Sequence, residues 1–256
     1  MNLQGKNVLI TGGNSGIGLA TARLMLAHGA RVAITGRDPS KLEVAAAELG
    51  NGVLALQADL TLAGDVQALS ERLGSEFGQL DVVFANAGIG GSTPLGSTTL
   101  EAFELILRTN LTSVFFTLQA VLPLMADGGA IVFNGSVMRE LGSPGSSAYS
   151  ATKAGISGMA KVFAAELAPR GIRVNTVIPG ATRTPIWTRG DRSGSTLDGT
   201  EAFLAPHIPL GRLAEPEETA NAVLFLATAA GITGAEVVVD GGATGAPYGA
   251  PIFRQP

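Results

Sequence analysis

The chain has 256 residues, of which 46% are hydrophobic, so it is long and apolar enough for one domain with a substantial core. Its formal net charge of -4 at pH 7 gives no electrostatic support to a general role in binding nucleic acid. The chain contains no cysteine, which excludes disulfides and thiolate catalysis, and its two histidines, His28 and His207, stand apart, so we expect no metal site.

The N-terminal residues lead directly into a short apolar stretch that lacks the composition of a signal peptide. No apolar run is expected to reach the roughly 18 residues that a membrane span needs. We therefore expect a cytoplasmic protein with no membrane partner.

Short apolar, β-branched stretches alternate along the chain with longer stretches of helical periodicity. The predicted strands are Asn7–Thr11, Arg31–Thr35, Val53–Gln57, Leu80–Ala85, Ala130–Asn134, Arg173–Ile178 and Glu236–Val239. The predicted helices are Gly16–His28, Pro39–Leu49, Leu62–Phe77, Leu100–Met125, Ser147–Leu167 and Glu215–Ala227. The pattern predicts a Rossmann-like doubly wound α/β fold, with a seven-stranded parallel sheet and helices on both faces. Since neither a repeat nor a linker divides the chain, residues 1–256 are predicted to form a single domain.

Two stretches break this alternation. Residues 185–212 combine prolines, a polar run and Trp187, and so long a loop in a compact domain is typical of a functional lid or of a disordered connection. We interpret it as a substrate loop that closes over the ligand. Residues 243–256 are rich in Gly, Ala and Pro and form either a frayed terminus or a tail that packs on a neighbouring subunit.

The glycine-rich segment Thr11–Gly18 follows the first predicted strand and opens the first predicted helix. Gly12 is suited to a left-handed turn, Gly16 lets the backbone approach a pyrophosphate, and Gly18 allows close packing of the helix on the sheet. In this context the pattern predicts a nucleotide phosphate site.

Two other segments end strands at the same carboxyl edge of the predicted sheet, where ligands bind in open α/β folds. Asp59 either accepts a hydrogen bond from an adenine amino group or caps the helix that follows. Asn86, the first residue of Asn86–Gly88, either contacts a nucleotide or ties the neighbouring loop together.

Tyr149 and Lys153 are four residues apart, on one face of one predicted helix, and Ser136 ends the fifth predicted strand. A free phenol has a pKa near 10, and a nearby ammonium together with a positive nicotinamide ring lowers that pKa. Tyr149 is then suited to move a proton on a carbonyl or hydroxyl oxygen that Ser136 holds. The alternative is a partly buried tyrosine beside a solvated lysine.

These motifs resemble those of the short-chain dehydrogenase/reductase family, in the form with TGxxxGxG and YxxxK signatures, from Gly5 to about Gly242. The resemblance implies an NAD(P)-dependent alcohol dehydrogenase or carbonyl reductase that transfers a hydride without a metal. It implies four catalytic residues, Asn110, Ser136, Tyr149 and Lys153, with Asn110 binding a water that relays protons to the lysine. It implies that the cofactor is bound by Gly12, Asn14, Ser15, Gly16, Ile17, Gly18, Arg37, Asp59, Leu60, Asn86, Ala87, Gly88, Tyr149, Lys153, Pro179, Gly180, Thr182 and Thr184.

Within those sets, Lys153 is expected to hold the ribose, and the backbone of Thr182 and the hydroxyl of Thr184 are expected to contact the nicotinamide carboxamide. The chain departs from the family at Gly135, where a serine is frequent, and at Thr182, where a branched apolar residue is usual. The Gly135 difference is expected to loosen the loop and to leave the chemistry intact.

The choice of cofactor depends on the end of the second predicted strand. The family position for an acid that would repel a 2′-phosphate is Gly36, and the next residue, Arg37, is suited to bind that phosphate. Asp38 has the nominal spacing of an NAD-selecting acid, but it precedes Pro39 and is expected to cap a helix. We therefore predict NADP, with NAD as the alternative.

Two other functions stay open. A 3-oxoacyl-thioester reductase would apply the same chemistry to a carrier-bound acid and would need a basic patch, for which the candidates are Arg108, Arg139, Arg183 and Arg189. A cofactor-sensing protein without turnover would have the same fold but tends to lose the catalytic residues.

Substrate and assembly are predicted more coarsely. A set of mostly apolar residues near the expected pocket favours a hydrophobic small-molecule ketone or alcohol; it comprises Ile89, Met138, Leu141, Ala181, Ile186, Trp187 and Phe203. The family resemblance of the two long helices, 100–125 and 147–167, implies a homotetramer.

Overall fold

A computed structural model describes residues 3–50, 52–188 and 195–246, and in it seven parallel strands form one sheet. The strands are β1 Asn7–Ile10, β2 Arg31–Gly36, β3 Val53–Gln57, β4 Leu80–Ala85, β5 Met125–Asn134, β6 Arg173–Pro179 and β7 Glu236–Val239. The α-helices are α1 Gly16–Ala27, α2 Pro39–Leu49, α3 Ala63–Phe77, α4 Leu100–Leu107, α5 Ser113–Val121, α6 Ser147–Leu167, α7 Leu197–Leu204 and α8 Pro216–Thr228.

The sheet has the order β3-β2-β1-β4-β5-β6-β7, so the chain changes direction between β1 and β4. In open α/β folds ligands bind at this switch point, outside the carboxyl ends of the strands. The predicted doubly wound architecture is confirmed.

Helices cover both faces of the sheet, and successive residues of one strand belong to different cores. Leu9 packs in a cluster with side chains of α3, α5 and α6, whereas Ile10 packs in a cluster with side chains of α1, α2 and α8. Because both faces are buried, a strand such as β1 has a continuous apolar sequence rather than an alternating one.

The predicted helix Leu100–Met125 is interrupted. A π-helical segment, Arg108–Thr112, separates α4 from α5, and a short 3-10 segment containing Pro123 ends the run before β5 starts at Met125. Within the π segment, the Asn110 side chain accepts from the Ile89 N–H and donates to the Ile89 carbonyl, both at 2.8 Å. These two bonds fix the widened turn to the loop after β4.

The helical run Leu100–Leu124 is long and apolar enough, by length and composition alone, to cross a membrane, so the expectation that no apolar stretch reaches this length was wrong. Its apolar character has a structural explanation. Val114, Leu118 and Val121 of α5 are buried in the core beside β4 and β5.

Residues 185–212 are not an unstructured loop in their described part, because they contain α7 and two 3-10 turns. The Arg183 side chain forms ion pairs with Asp198 and Glu201 of α7 and with Glu215 at the N-terminus of α8. Residues 189–194 of this loop, and residues 247–256 of the predicted tail, lie outside the described residues.

Candidate active site

The glycine-rich loop has the backbone that its sequence predicts. Gly12 and Gly16 have φ values of +63° and +55°, in the left-handed region that favours glycine. A Cβ at Gly18 would lie 2.4 Å from the Gly12 carbonyl oxygen. Gly18 therefore allows α1 to approach the loop itself, and the turn leaves the amides at the start of α1 open to a phosphate.

Asn86 ties the loop together, as the second of the two interpretations held. Its Nδ2 donates to the carbonyls of Thr11 and Gly12 at 2.9 and 3.1 Å. Thr11 reciprocates, because its hydroxyl oxygen accepts from the N–H groups of Asn86 and Ala87 at 2.9 and 3.0 Å. This role of Thr11, which directly follows β1, was not predicted from the sequence.

The end of β2 lies against the glycine-rich loop. A Cβ at Gly36 would lie 2.7 Å from Nδ2 of Asn14, so Asn14 fills the space that a side chain at position 36 would need. Asp38 caps α2, as predicted, by accepting from the Lys41 N–H at 3.2 Å, and it forms an ion pair with the Lys41 ammonium at 3.1 Å. Arg37 is exposed, and among the described residues its guanidinium forms no ion pair.

Asp59 is not the cap of the next helix, because α3 begins at Ala63 and Leu62 occupies the cap position. Instead its Oδ1 accepts from the N–H and the hydroxyl of Thr61 at 3.0 and 2.7 Å. Burial opposes ionisation of Asp59, but these hydrogen bonds and the charge of Arg37 outweigh burial and lower its pKa. A charged acceptor therefore faces the cavity at the end of β3.

Tyr149 and Lys153 lie on one face of α6, and the Lys153 ammonium is 5.6 Å from the centroid of the Tyr149 ring. Lys153 is 5% exposed and donates to the Asn134 carbonyl at 2.7 Å. Burial lowers the pKa of Lys153 to about 8. The lysine is thus a fixed cation with a pKa close to neutral pH, and no sequence signal marked the backbone carbonyl that holds it.

Ser136 follows β5 and starts a short 3-10 turn, Val137–Arg139. Its hydroxyl oxygen accepts from the Met138 N–H at 3.2 Å. Within the described part of the chain it makes no other hydrogen bond, so its proton is available to an oxygen of a substrate. Gly135 does not loosen this segment as expected, because a Cβ there would lie 2.5 Å from Cδ1 of Ile178. The glycine is required by close packing on β6.

The segment after β6 meets the glycine-rich loop through Thr184, whose Cγ2 would be 3.1 Å from a Cβ at Gly16. Gly180 packs on the residue that follows β7, since a Cβ there would lie 2.7 Å from the Asp240 Cα. The carbonyl of Thr182 accepts from Nε1 of Trp187 at 2.8 Å. One of the backbone groups predicted to contact the nicotinamide carboxamide therefore already has a hydrogen-bond partner.

A cavity of about 340 Å³ joins most of these groups. The predicted residues that line it are Gly12, Asn14, Ser15, Gly16, Ile17, Arg37, Asp59, Leu60, Asn86, Ala87, Gly88, Tyr149, Lys153 and Thr184. The predicted residues outside its lining are Gly18, Asn110, Ser136, Pro179, Gly180 and Thr182. Lining residues that the sequence analysis did not assign to the cofactor include Thr35, Gly36, Lys41, Thr61, Asn134 and Pro185.

Residues 12–244 match a family model described as enoyl-(acyl carrier protein) reductase. Oxidoreductase asL5 of Sarocladium schorii is 41% identical over 94% of this chain and 96% of its own length. Cis-4-hydroxycyclohexanecarboxylate dehydrogenase of Sinomonas cyclohexanicum is 40% identical, with 92% and 95% covered. The 3-oxoacyl-[acyl-carrier-protein] reductase FabG of Escherichia coli is 37% identical, with 94% and 98% covered.

Among solved structures, a short-chain type dehydrogenase/reductase from Mycobacterium marinum superimposes with a TM-score of 0.88 at 35% identity, covering 95% of this chain and 97% of that chain. The chain belongs to the short-chain dehydrogenase/reductase family. It is an NAD(P)-dependent oxidoreductase that acts on a small molecule.

The residues present fit a nicotinamide dinucleotide. One cavity brings together the glycine-rich loop at the start of α1, the exposed cation Arg37 and the Tyr149–Lys153 pair. The loop is suited to the pyrophosphate, Arg37 to the adenosine end of the cofactor, and the Tyr149–Lys153 pair to its nicotinamide end.

Proposed function

We propose that the protein interconverts a secondary alcohol and a ketone, with Tyr149 as the acid and base at the substrate oxygen. The observation that carries the proposal is the buried Lys153 ammonium beside the Tyr149 ring in the same cavity as the glycine-rich loop. A bound nicotinamide would supply the hydride to the carbon that carries the reacting oxygen, or accept it from that carbon.

In the reductive direction, Tyr149 gives its phenolic proton to the carbonyl oxygen as that oxygen becomes an alcohol. Ser136 donates its hydroxyl proton in a hydrogen bond to the same oxygen, which supports the charge that develops there. Lys153 stabilises the phenolate that is left, and it binds the cofactor ribose. In the oxidative direction, Tyr149 takes the proton back.

The role of Asn110 as a water-binding relay is part of the proposal. Its side chain is bonded to the Ile89 N–H and carbonyl, and we assign the water to the backbone carbonyl of Asn110 in the widened π turn. The remaining binding residues, Gly18, Pro179, Gly180 and Thr182, shape the site through the packing of the loops.

We propose NADPH as the preferred cofactor. Gly36 has no side chain to repel the 2′-phosphate, and Asn14 fills the space beside it. The Asp38 carboxylate is used by the N-terminus of α2 and by Lys41, whereas Arg37 is exposed and without an ion pair among the described residues. Arg37 is therefore suited to bind the phosphate, as a bidentate partner.

Arg37→Ala tests this choice. With NADPH, kcat/KM should fall about tenfold or more, whereas with NADH it should change little. Lys6→Ala, on an exposed lysine paired with Asp81 on the sheet, is the matched control for loss of one surface cation. An Arg37→Ala enzyme that loses nothing with NADPH contradicts the choice.

We propose a hydrophobic small-molecule substrate, because Ile89 and Ile186 line the cavity that contains Tyr149. The second candidate is a 3-oxoacyl-thioester, which the similarity to FabG favours. A basic patch for an acidic carrier has weaker support. Arg139 is paired with Glu236 and Arg183 with three acids, while Arg189 lies outside the described residues.

Assays with secondary alcohols, ketones and a 3-oxoacyl thioester, followed by nicotinamide absorbance, separate the candidates. The proposal expects turnover of apolar ketones and alcohols. Turnover restricted to the thioester favours the second candidate. Cofactor binding without turnover of any compound would mean a sensing protein.

We also propose a cytoplasmic homotetramer. The neighbouring helices α4, α5 and α6 carry exposed apolar side chains, and Leu105, Phe116 and Val162 are each about half exposed. The strand β7, at the edge of the sheet, exposes Val238. Light scattering should give a tetramer at micromolar concentration, and Phe116→Glu should dissociate it. A monomeric wild-type protein contradicts the assembly.

A further inference from the structure

A largely buried ion pair joins the segment after Ser136 to the edge strand β7. Arg139, three residues beyond Ser136, donates from Nη1 to Oε2 of Glu236, the first residue of β7. The side chains of Arg139 and Glu236 are 17% and 18% exposed. The pair therefore connects two segments that are far apart in the sequence.

The catalytic helix α6 meets the same carboxylate. Ser157, one turn beyond Lys153 on α6, is buried, and its hydroxyl oxygen and Oε1 of Glu236 make no hydrogen bond of normal geometry within the described residues. Burial opposes ionisation of Glu236, but Arg139 and the nearby Ser157 hydroxyl outweigh burial and lower its pKa, with a smaller contribution from the charge of Lys161. Glu236 is thus a carboxylate at the junction of three elements.

Stability alone does not explain a charged pair in this place. Removing two charges from water costs free energy that their attraction often only balances, and apolar residues of similar volume are commonly as stable. A buried ion pair does, however, fix the geometry of the groups that it joins. Here those groups are the turn that begins at Ser136 and strand β7, and Glu236 of β7 also lies near Ser157 of α6, the helix that carries Tyr149 and Lys153.

The other end of the Ser136 segment is already fixed. The Gly135 N–H donates to the Val177 carbonyl at 2.8 Å, and the backbone of Gly135 packs on Ile178. The 3-10 turn beyond Ser136 is held at Arg139 by its ion pair with Glu236. Ser136 therefore lies between an attachment to β6 and an attachment to β7.

We propose that Arg139 and Glu236 are positioning residues, which hold the Ser136 hydroxyl at its working distance from Tyr149 on α6. The inference rests on the roles proposed above for Ser136 and Tyr149. Neither Arg139 nor Glu236 touches the reacting atoms, and their effect on the rate passes through Ser136.

A double-mutant cycle with Ser136 tests this route, because a residue that acts through Ser136 loses its effect when the hydroxyl is absent. Glu236→Gln should lower kcat about tenfold in the wild-type background and less than twofold in the Ser136→Ala background, with the cofactor Kd unchanged in both. Asp127→Asn, which breaks the exposed Arg170–Asp127 pair at the start of β5, is the control and should leave kcat unchanged.

Two further variants separate positioning from folding. Arg139→Lys keeps the charge and should retain kcat within about threefold. The double variant Arg139→Met/Glu236→Leu removes both charges and should keep the Tm while kcat stays about tenfold low. The inference is overturned by a full kcat in that double variant, or by an equal loss of kcat from Glu236→Gln in both Ser136 backgrounds. Either result leaves the proposed catalytic roles intact. A Ser136→Ala enzyme with unchanged kcat overturns the proposed catalytic roles and this inference together.

Discussion

The Lys153 ammonium lies 5.6 Å from the centre of the Tyr149 ring and is held there by the carbonyl of Asn134 at 2.7 Å. Burial lowers the pKa of this ammonium to about 8. Because the two groups are close, we expect their protons to titrate as a pair, with the first proton lost near that pH.

The pH dependence of the two reaction directions should follow from this pair. Alcohol oxidation needs the deprotonated pair, so its kcat/KM should rise to a plateau through pH about 8. Ketone reduction needs the protonated pair and should decline above the same pH. Lys153→Met removes the cation, so the residual oxidation should rise only toward the free phenol's pKa near 10. An unshifted profile in the variant contradicts the coupling.

Lys153 should also affect stability in a defined pH window. Its pKa is 10.5 in a model compound and about 8 in the fold, so between these values the unfolded chain binds more protons and stability rises with pH. Below pH 8, burial of the charged Lys153 ammonium lowers the free energy of unfolding by a constant amount, about 3 kcal/mol from the size of the pKa shift. Relative to Lys153→Met, the wild-type free energy of unfolding should therefore increase from pH 8 to 10.5, as measured by urea denaturation. A difference between the two proteins that does not change with pH contradicts this.

Gly18→Ala should damage the cofactor site. The new Cβ would lie 2.4 Å from the Gly12 carbonyl oxygen, which is backbone and cannot move without changing the loop. We expect a loss of about 2 kcal/mol in stability and at least tenfold weaker cofactor binding by calorimetry. Gly64→Ala in α3 is the control, since a Cβ there meets nothing within 4 Å and alanine favours a helix. Equal behaviour of the two variants would be inconsistent with this packing.

The substrate loop should close when both ligands bind, and Trp187 should report the change. Its Nε1 donates to the Thr182 carbonyl, so movement of the loop alters the environment of the indole. We expect the fluorescence of Trp187 to change between the cofactor complex and a ternary complex. Fluorescence that is the same in both complexes would mean that the substrate loop does not move when the substrate binds.

The fold followed from the sequence because short apolar, β-branched runs alternate with stretches of helical periodicity, as in a parallel sheet covered on both faces. The glycine-rich loop and the Tyr149–Lys153 spacing were equally informative, since each requires particular residue types at fixed positions. Contacts made by backbone atoms were not predictable, such as the Asn134 carbonyl on Lys153. The effect of Gly135 was predicted wrongly, because position 135 requires glycine for close packing on Ile178, which lies on a strand distant in sequence.

The helix break at Asn110 was missed for the same physical reason. The residues of 100–125 have continuous helical periodicity, and the widened turn depends on two bonds to the Ile89 backbone. Asp59 was only partly predicted, because its bonds to Thr61 replaced the expected helix cap. Local patterns predicted elements, whereas contacts between distant segments needed the structure.

Tyr149→Phe tests the central claim most directly. The ring packs as before but has no proton to exchange, so kcat for ketone reduction should fall at least about a thousandfold while the cofactor Kd, measured by calorimetry, stays within about twofold. Lys153→Ala is the comparison, and it should weaken both kcat and cofactor binding, because the lysine also holds the ribose. A Tyr149→Phe enzyme that retains substantial turnover with normal cofactor affinity would contradict the account.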